Sequence, residues 1–173
     1  IFNFISPKVK LPNKIKIIVM AGGFGTRLKP FTEILPKALI PIKDKPIIEH
    51  IIDNFSEFGA RNFYISVNFK ASILKAYFSS FKRKNKISFI NEKLPMGTIG
   101  SLSLIKNKIK SSFFVSNCDV IIKTDYSEVL KLHLKNNYDV TMVVTKKEFN
   151  LPYGNCIIDS DGSLKKIEEK PQY

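Results

Sequence analysis

The sequence has 173 residues, of which 44% are hydrophobic and 25% charged, and these values exclude a disordered chain. Its formal net charge of +13 at pH 7 would suit a nucleic-acid-binding domain, with the densest basic cluster at residues 82–86. We attribute this charge to a lysine-rich background composition and expect no nucleic-acid partner, because no nucleic-acid module is recognisable. No apolar run approaches the roughly 20 residues of a membrane-spanning helix, so we also expect no membrane partner.

The ends of the sequence and its cysteines lead to expectations about domain boundaries and cellular location. The chain begins without Met and ends abruptly at Tyr173, so we expect part of a longer protein, and its start does not resemble a signal peptide. Residues 1–14 contain Pro7 and Pro12 and are predicted to be a linker or the tail of a preceding domain, with one domain over 15–173. Two cysteines are too few for a disulfide framework, which predicts a cytoplasmic location.

Hydrophobic patterns predict strands that alternate with helices. The predicted strands are 16–21, 63–67, 86–90, 112–116 and 139–145, followed by a hairpin of 155–159 and 164–168; the predicted helices begin at 46, 71, 97 and 125. Such alternation predicts an α/β fold with a mainly parallel sheet and helices on both faces. Ligands bind such sheets at the carboxyl ends of the strands, where 22–27, 92–97 and 117–119 are expected to meet.

The long loop 22–45 follows the first strand and has the composition of a phosphate site. Gly22, Gly23 and Gly25 would let backbone N–H groups approach phosphate oxygens. Arg27 and Lys37 would add a bidentate guanidinium and a mobile ammonium group. Taken singly, the glycines could equally form an ordinary turn, and the two cations could be solvated surface residues.

The whole string nevertheless resembles a known signature. Residues 22–32 (GGFGTRLKPFT), followed by Pro36-Lys37, are similar to the G-G-x-G-T-R-L-x-P-x-T and P-K motifs of the sugar-1-phosphate nucleotidyltransferases. The resemblance implies a Rossmann-like (GT-A-type) three-layer sandwich that is truncated at its C-terminus here. It also implies catalytic roles for Arg27 and Lys37, and a nucleotide site formed by Ala21, Gly22, Gly23, Gly25, Thr26, Glu92, Gly97 and Thr98.

Four further segments resemble motifs of that family in the same order. Residues 94–102 (LPMGTIGSL) are similar to its L-G-T-A-G-A-L segment, and 117–119 (NCD) to the strand end whose aspartate, here Asp119, binds Mg²⁺. Residues 153–154 are similar to its Y-G motif and 168–171 to its E-K-P motif. Without the series, these segments would read as a glycine-started helix, a helix cap and a charged strand end. By resemblance, the sugar-phosphate residues are Gly154, Glu169 and Lys170.

The resemblance implies an activity. A nucleoside triphosphate, with GTP favoured, and a sugar-1-phosphate would give a nucleotide sugar and pyrophosphate in a Mg²⁺-dependent reaction for surface glycans. The sequence most resembles a bacterial guanylyltransferase branch of the family. This resemblance implies a possible homo-oligomer and N-terminal regulatory (CBS) modules in the full-length protein. A second metal-binding aspartate of the family would lie beyond Tyr173. The alternatives are a catalytically silent nucleotide-sensing module and, less favoured, a nucleic-acid-binding domain.

Overall fold

The computed structural model describes residues 9–146 and 152–171, which belong to two compact units divided between Tyr138 and Asp139. The strands of the first unit are β1 Lys16–Met20, β2 Pro41–Ile42, β3 Lys45–Pro46, β4 Asn62–Val67, β5 Lys86–Asn91 and β6 Phe113–Asn117. Its helices are α1 Phe31–Ile34, α2 Ile47–Glu57, α3 Ala71–Ser79 and α4 Tyr126–Lys135, with 3₁₀ helices at Thr26–Leu28, Lys37–Leu39 and Gly100–Lys108.

A four-stranded sheet in the order β5-β4-β1-β6 forms the centre of this unit, and every pairing in it is parallel. Lys16 pairs with Asn62 and Phe113, while Met20 pairs with Ser66 and Asn117. The strands therefore begin together at one edge of the sheet and end together at the other. The α/β fold with a parallel sheet is the one that the sequence predicts.

The two faces of the sheet are covered unequally. Ile17 and Val19 of β1 belong to the main core, which also contains buried residues of α2, α3, α4 and β4. Ile18 and Met20 point to the opposite face, because successive strand residues alternate, and there they pack with Ile105 of the 3₁₀ helix. Burying one such aliphatic side chain stabilises the fold by about 1.5–3 kcal/mol, so the main core provides most of the stability.

Helix boundaries follow local sequence signals. The helix α2 begins directly after Pro46 and ends before Gly59, whose φ of 96° is left-handed and favours glycine. The helix α4 begins after Asp125, whose carboxylate accepts hydrogen bonds from the backbone N–H groups of Ser127 (2.9 Å) and Glu128 (3.1 Å). Both predicted helix starts are confirmed.

Two predicted elements differ in the structure. The helix predicted from residue 97 is a 3₁₀ helix over Gly100–Lys108, where the Ser103 hydroxyl donates to the Gly100 carbonyl oxygen at 2.8 Å and competes with α-helical bonding. The predicted strand 139–145 is wrong, since the described residues 139–146 form no strand. Its apolar residues Val140, Met142 and Val144 are more than 70% exposed, because no neighbouring strand pairs with this segment among the described residues.

The second unit contains the predicted hairpin. Its strands, β7 Asn155–Ile158 and β8 Leu164–Glu168, are antiparallel. The turn is closed by Asp161, whose carboxylate accepts from the Ser163 backbone N–H at 2.9 Å, and by Gly162 at a φ of 86°. The Asp-Gly signal in the sequence therefore marks a real turn.

Residues 9–14, part of the segment predicted to be a linker or the tail of a preceding domain, belong to the first unit. Leu11 is buried in the main core, and its backbone N–H donates to the Phe58 carbonyl oxygen at 2.7 Å. Within residues 9–146 and 152–171, every helix is too short or too polar to cross a membrane.

Candidate active site

The carboxyl edge of the parallel sheet carries a cavity of about 410 Å³. It lies where β1, β4, β5 and β6 end, as the strand-end rule for α/β sheets predicts. The structure brings eight of the predicted site residues together in its lining: Gly22, Gly23, Gly25, Lys37, Glu92, Gly97, Thr98 and Asp119.

The glycine loop is folded tightly against its own continuation. Gly25 has a φ of 65°, and a Cβ at this position would lie 2.7 Å from Cγ2 of the buried Thr32. The Thr32 hydroxyl donates to the Gly25 carbonyl oxygen at 2.9 Å, which holds the loop over α1. At Gly22, a Cβ would lie 2.7 Å from Oε1 of Glu92, so glycine lets that carboxylate lie against the loop.

These contacts predict different effects for two neighbouring glycines. Gly25→Ala is expected to lower the free energy of unfolding by about 1–3 kcal/mol, since alanine is strained at positive φ and must displace Thr32. Gly23→Ala is the matched control, because nothing lies within 4 Å of its added Cβ, and its effect is expected to stay within about 0.5 kcal/mol. Urea unfolding followed by circular dichroism measures both, and equal losses would contradict the described loop.

Lys37 and Asp119 form an ion pair at the centre of the lining, with Nζ and Oδ2 2.5 Å apart. Lys37 begins a 3₁₀ turn whose next two residues, Ala38 and Leu39, are buried, and this anchors the backbone of the lysine. Asp119 follows β6 through Cys118, whose backbone N–H donates to the Met20 carbonyl oxygen at 3.2 Å. Both charged side chains remain about one-third exposed and can be reached by a ligand.

Cys118 separates the strand from this aspartate and is buried. Burial, together with the negative charge of Asp119, raises the pKa of the Cys118 thiol to about 11. The thiol therefore stays protonated at neutral pH, and the residue is a small apolar spacer rather than a nucleophile.

Glu92 places a second carboxylate in the lining. The residue follows β5 and is only 8% exposed. Asn68 fixes its backbone by donating to the Glu92 carbonyl oxygen at 2.8 Å, while Oε2 of the side chain accepts from the Met96 backbone N–H at 3.4 Å. A carboxylate can accept about four hydrogen bonds, so this one retains capacity for a ligand that donates.

Of the two carboxylates in this lining, a magnesium ion could reach Asp119, which is partly exposed, whereas Glu92 is buried. Among the described residues, no group of three or more His, Cys, Asp or Glu side chains could hold a metal. Mg²⁺ commonly takes only one or two carboxylates and completes its coordination with water and substrate phosphates. The partly exposed Asp119 fits that mode of binding, provided that its ion pair with Lys37 breaks when the metal binds.

The other predicted site residues lie outside this lining. Ala21 is buried beside the cavity, where its N–H donates to the Ser66 hydroxyl at 3.1 Å. Thr26 and Arg27 lie on an exposed 3₁₀ turn of the same loop. In the second unit, Gly154 and Glu169 lie together, with the glycine's Cβ position 3.0 Å from Glu169 Oε2, and the exposed Lys170 follows at a φ of 47°.

Sequence reasoning missed several lining residues. Ser66 is fully buried at the end of β4, where its hydroxyl holds Ala21. Its signal was a small polar residue within the apolar run of that strand. Phe24 also lines the cavity and packs against Phe69, with ring centroids 5.2 Å apart, and no sequence signal distinguishes it from other surface phenylalanines.

Comparison with known proteins shows the family of the chain that forms this cavity. Residues 16–173 match the family described as Nucleotidyl transferase. The chain belongs to this family. With the relatives described next, this match confirms the resemblance to sugar nucleotidyltransferases.

Two of the similar curated proteins are mannose-1-phosphate guanylyltransferase subunits. The chain is 33% identical over 172 residues to mannose-1-phosphate guanylyltransferase catalytic subunit beta of Drosophila pseudoobscura pseudoobscura, covering 96% of this chain and 46% of that protein. It is 34% identical to the subunit of the same name from Danio rerio, covering 91% and 46%. The chain thus spans about half the length of the curated relatives that it matches.

Two solved structures share the fold. The crystal structure of HddC from Yersinia pseudotuberculosis complexed with GMP-PN superposes with a TM-score of 0.65 at 28% identity, covering 91% of this chain and 71% of that one. A UDP-glucose pyrophosphorylase complexed with UDP-glucose gives a TM-score of 0.60 at 20% identity, covering 91% and 69%, and supports the fold alone.

Proposed function

We propose that the full-length protein transfers GMP from GTP to a sugar-1-phosphate and releases pyrophosphate. The observation that carries this proposal is the Lys37–Asp119 ion pair in a cavity bounded by the glycine loop. A cation and a partly exposed carboxylate beside a glycine loop suit a triphosphate, whose charge must be neutralised before another anion can approach.

The proposed reaction needs positioning rather than a general base. A phosphate oxygen of the sugar attacks the α-phosphorus of GTP, the bond to the bridging oxygen breaks, and pyrophosphate leaves in line. The attacking oxygen is already anionic, so no protein group must take a proton. His50 lies outside the cavity lining, and its Nε2 is 2.8 Å from the Ile42 carbonyl oxygen.

The cations of the site have separate proposed tasks. We assign Lys37 to the phosphates, to which its ammonium group is free to turn once Asp119 has another cation. Mg²⁺, when bound, would neutralise phosphate charge and polarise the phosphorus, with Asp119 as its protein ligand. Arg27, on the exposed turn of the same loop, is proposed to stabilise the transferring phosphate bidentately.

Glu92 supports guanine as the base. The Watson–Crick edge of guanine presents two adjacent donors, N1–H and the exocyclic amino group, which match the two oxygens of a buried carboxylate. Uracil and thymine present one N–H between two carbonyl oxygens, which a carboxylate repels. The names of the guanylyltransferase relatives and the GMP-PN bound to HddC agree with this choice.

We assign the sugar-phosphate side to Gly154, Glu169 and Lys170, with mannose-1-phosphate as the first sugar to test. The relatives' names support mannose, and a glucosamine-1-phosphate-like sugar is the second choice. Surface glycan synthesis in the cytoplasm is the proposed context. A homo-oligomer and N-terminal regulatory modules remain part of the proposal for the full-length protein.

A substrate panel tests the function. The full-length protein is incubated with GTP, UTP, dTTP or ATP and with mannose-1-phosphate, glucosamine-1-phosphate or glucose-1-phosphate, and pyrophosphate release is measured. The proposal expects sugar-dependent release that is fastest with GTP. Tight GTP binding without release for any sugar phosphate would instead support the silent nucleotide-sensing module.

A single substitution tests the role of Glu92. Glu92→Gln is expected to lower kcat/KM with GTP by about 10- to 100-fold, the cost of losing hydrogen bonds to a charged acceptor. The relative use of UTP should rise, because an amide offers one donor and one acceptor, which match the O4 and N3–H of uracil. The matched control is Glu57→Gln, at an exposed end of α2. An unchanged ratio of GTP to UTP turnover would remove Glu92 from base selection.

A further inference from the structure

A second cavity, of about 500 Å³, lies at the opposite, amino edge of the parallel sheet. The first residues of three adjacent strands, Lys16, Asn62 and Lys86, line it side by side in register. It shares no lining residue with the candidate active site. The length of β1 alone separates the two by about 13 Å, at the rise of about 3.3 Å per strand residue.

This amino-edge cavity exists because one sheet face is only half covered. The 3₁₀ helix Gly100–Lys108 packs through Ile105 on Ile18, Met20 and Ile90, toward the carboxyl ends of the strands. Residues on the same face but nearer the amino ends, such as Lys86 and Ser88, are left open. The floor of the cavity is therefore hydrogen-bonded sheet, which holds its side chains at fixed spacings.

The charge of the lining is one-sided. Of its 11 residues, none is acidic and five are lysines: Lys14, Lys16, Lys86, Lys108 and Lys110. Lysine makes up about one residue in seven of the whole sequence, which would place only one or two in a lining of this size. The background composition therefore does not account for the cluster.

These lysines lack counterions in the part of the chain that the structure describes. None of the five forms an ion pair among residues 9–146 and 152–171. The Lys16 ammonium group donates to the Lys108 carbonyl oxygen at 2.6 Å, which ties the end of the 3₁₀ helix to β1 and leaves its charge uncompensated. Like charges held together in a concave site raise the local potential and attract anions.

We propose that the amino-edge cavity binds a small anion with several phosphate groups, separately from the active site. Five ammonium groups exceed what one phosphate neutralises, and a di- or triphosphate supplies three or four charges. The hydroxyl groups of Ser88 and Ser111 add neutral donors for phosphate oxygens. The same chemistry is found in an inorganic polyphosphate and in the phosphate tail of a nucleotide.

The lining fits such an anion better than a nucleic acid strand. Single strands are bound in extended basic grooves where bases stack on exposed aromatic rings. Here the lysines converge on one concavity, and its aromatic residues are the fully buried Phe63 and the half-buried Tyr64. The cavity thus offers charge and hydrogen bonds for phosphates and no stacking surface for bases.

The test uses calorimetric titration of the full-length protein with inorganic tripolyphosphate at about 0.15 M salt. Lys86→Gln/Lys110→Gln is compared with Lys131→Gln/Lys135→Gln on α4, which packs on the opposite face of the sheet. Every protein also carries Lys37→Ala, to weaken binding in the active site. We expect the first pair to lower tripolyphosphate affinity about tenfold and the control pair less than twofold.

Two further titrations, with GTP and with a single-stranded oligonucleotide, show which kind of phosphate compound the cavity binds. If the same pair of substitutions lowers GTP affinity as much, the site takes the phosphate tail of a nucleotide; if GTP is unaffected, it takes the inorganic anion. Equal tripolyphosphate affinity in both double variants would overturn the proposal. So would absence of tripolyphosphate binding together with binding of a single-stranded oligonucleotide that strengthens with its length.

Discussion

Replacing Lys37 with alanine is expected to lower kcat of the full-length protein, with GTP and its sugar-1-phosphate, on the order of 10²–10³-fold. The physical reason is that the lysine ammonium group lies in the cavity, where it can stabilise charge that develops on the phosphates. Asp119→Asn should give a loss of similar size, because its carboxylate is the partner of that lysine and the proposed Mg²⁺ ligand. Steady-state pyrophosphate release measures both.

The chain contains a matched control for this pair. Lys45 and Asp53 also form a lysine–aspartate ion pair, which joins β3 to α2 outside the cavity lining. Lys45→Ala and Asp53→Asn should leave kcat within about twofold, because partly exposed ion pairs contribute little. Unfolding curves of all four variants show whether each protein is folded. Equal losses in both pairs, with intact folds, would contradict a catalytic role for Lys37.

The second large effect is expected on stability, at Arg83. Its Nη1–H group donates a hydrogen bond to Oε2 of the buried Glu49 at 2.8 Å, and Nη2 lies 2.5 Å from Oε1 in the same ion pair. The guanidinium carbon lies 4.7 Å from the ring centroid of Phe78. Arg83→Ala would leave the Glu49 carboxylate buried without its cation. We expect a loss on the order of 3 kcal/mol in the free energy of unfolding, measured with urea.

Two variants separate the unpaired charge from the loss of side-chain packing. The double substitution Glu49→Leu/Arg83→Met should cost less than Arg83→Ala, because it leaves no buried charge behind. Arg61→Ala is the control, since among the residues that the structure describes the side chain of that exposed arginine donates to the carbonyl oxygens of Ser56 and Ala60 alone. If Arg83→Ala cost no more than Arg61→Ala, the ion pair would not stabilise the fold. The Arg83 side chain is thus largely buried in an internal ion pair with Glu49 and is not a surface charge for a nucleic acid.

Much of the fold could be predicted because it depends on local patterns. Alternating apolar residues, Pro46 before a helix and the Asp125 cap each determine a structure within a few residues. Parallel strands then bring distant segments together without further information, which is why residues 22–27, 92–97 and 117–119 were expected to meet at one edge of the sheet. The eight predicted residues in the cavity lining follow from this rule and from the family motifs.

The predicted strand 139–145 shows what such patterns cannot supply. Its residues have the β-branched and apolar character of a strand, but a strand also needs a hydrogen-bonding neighbour, and none pairs with it among the described residues. The same limit applies to side-chain partners. The direct contact between Lys37 and Asp119, and that between Glu92 and Gly22, depend on loop conformations that no local pattern encodes.

The most direct test of the central claim follows the α-phosphate of GTP. The full-length protein is incubated with GTP labelled at the α-phosphorus and with mannose-1-phosphate, and the products are separated by ion exchange. We expect the label to move into a guanosine-diphosphate sugar, with one pyrophosphate released for each transfer, and Asp119→Asn to abolish most of the transfer. Label that stays in GTP, or appears only in GDP or GMP, with every sugar phosphate supplied would contradict the proposed guanylyl transfer.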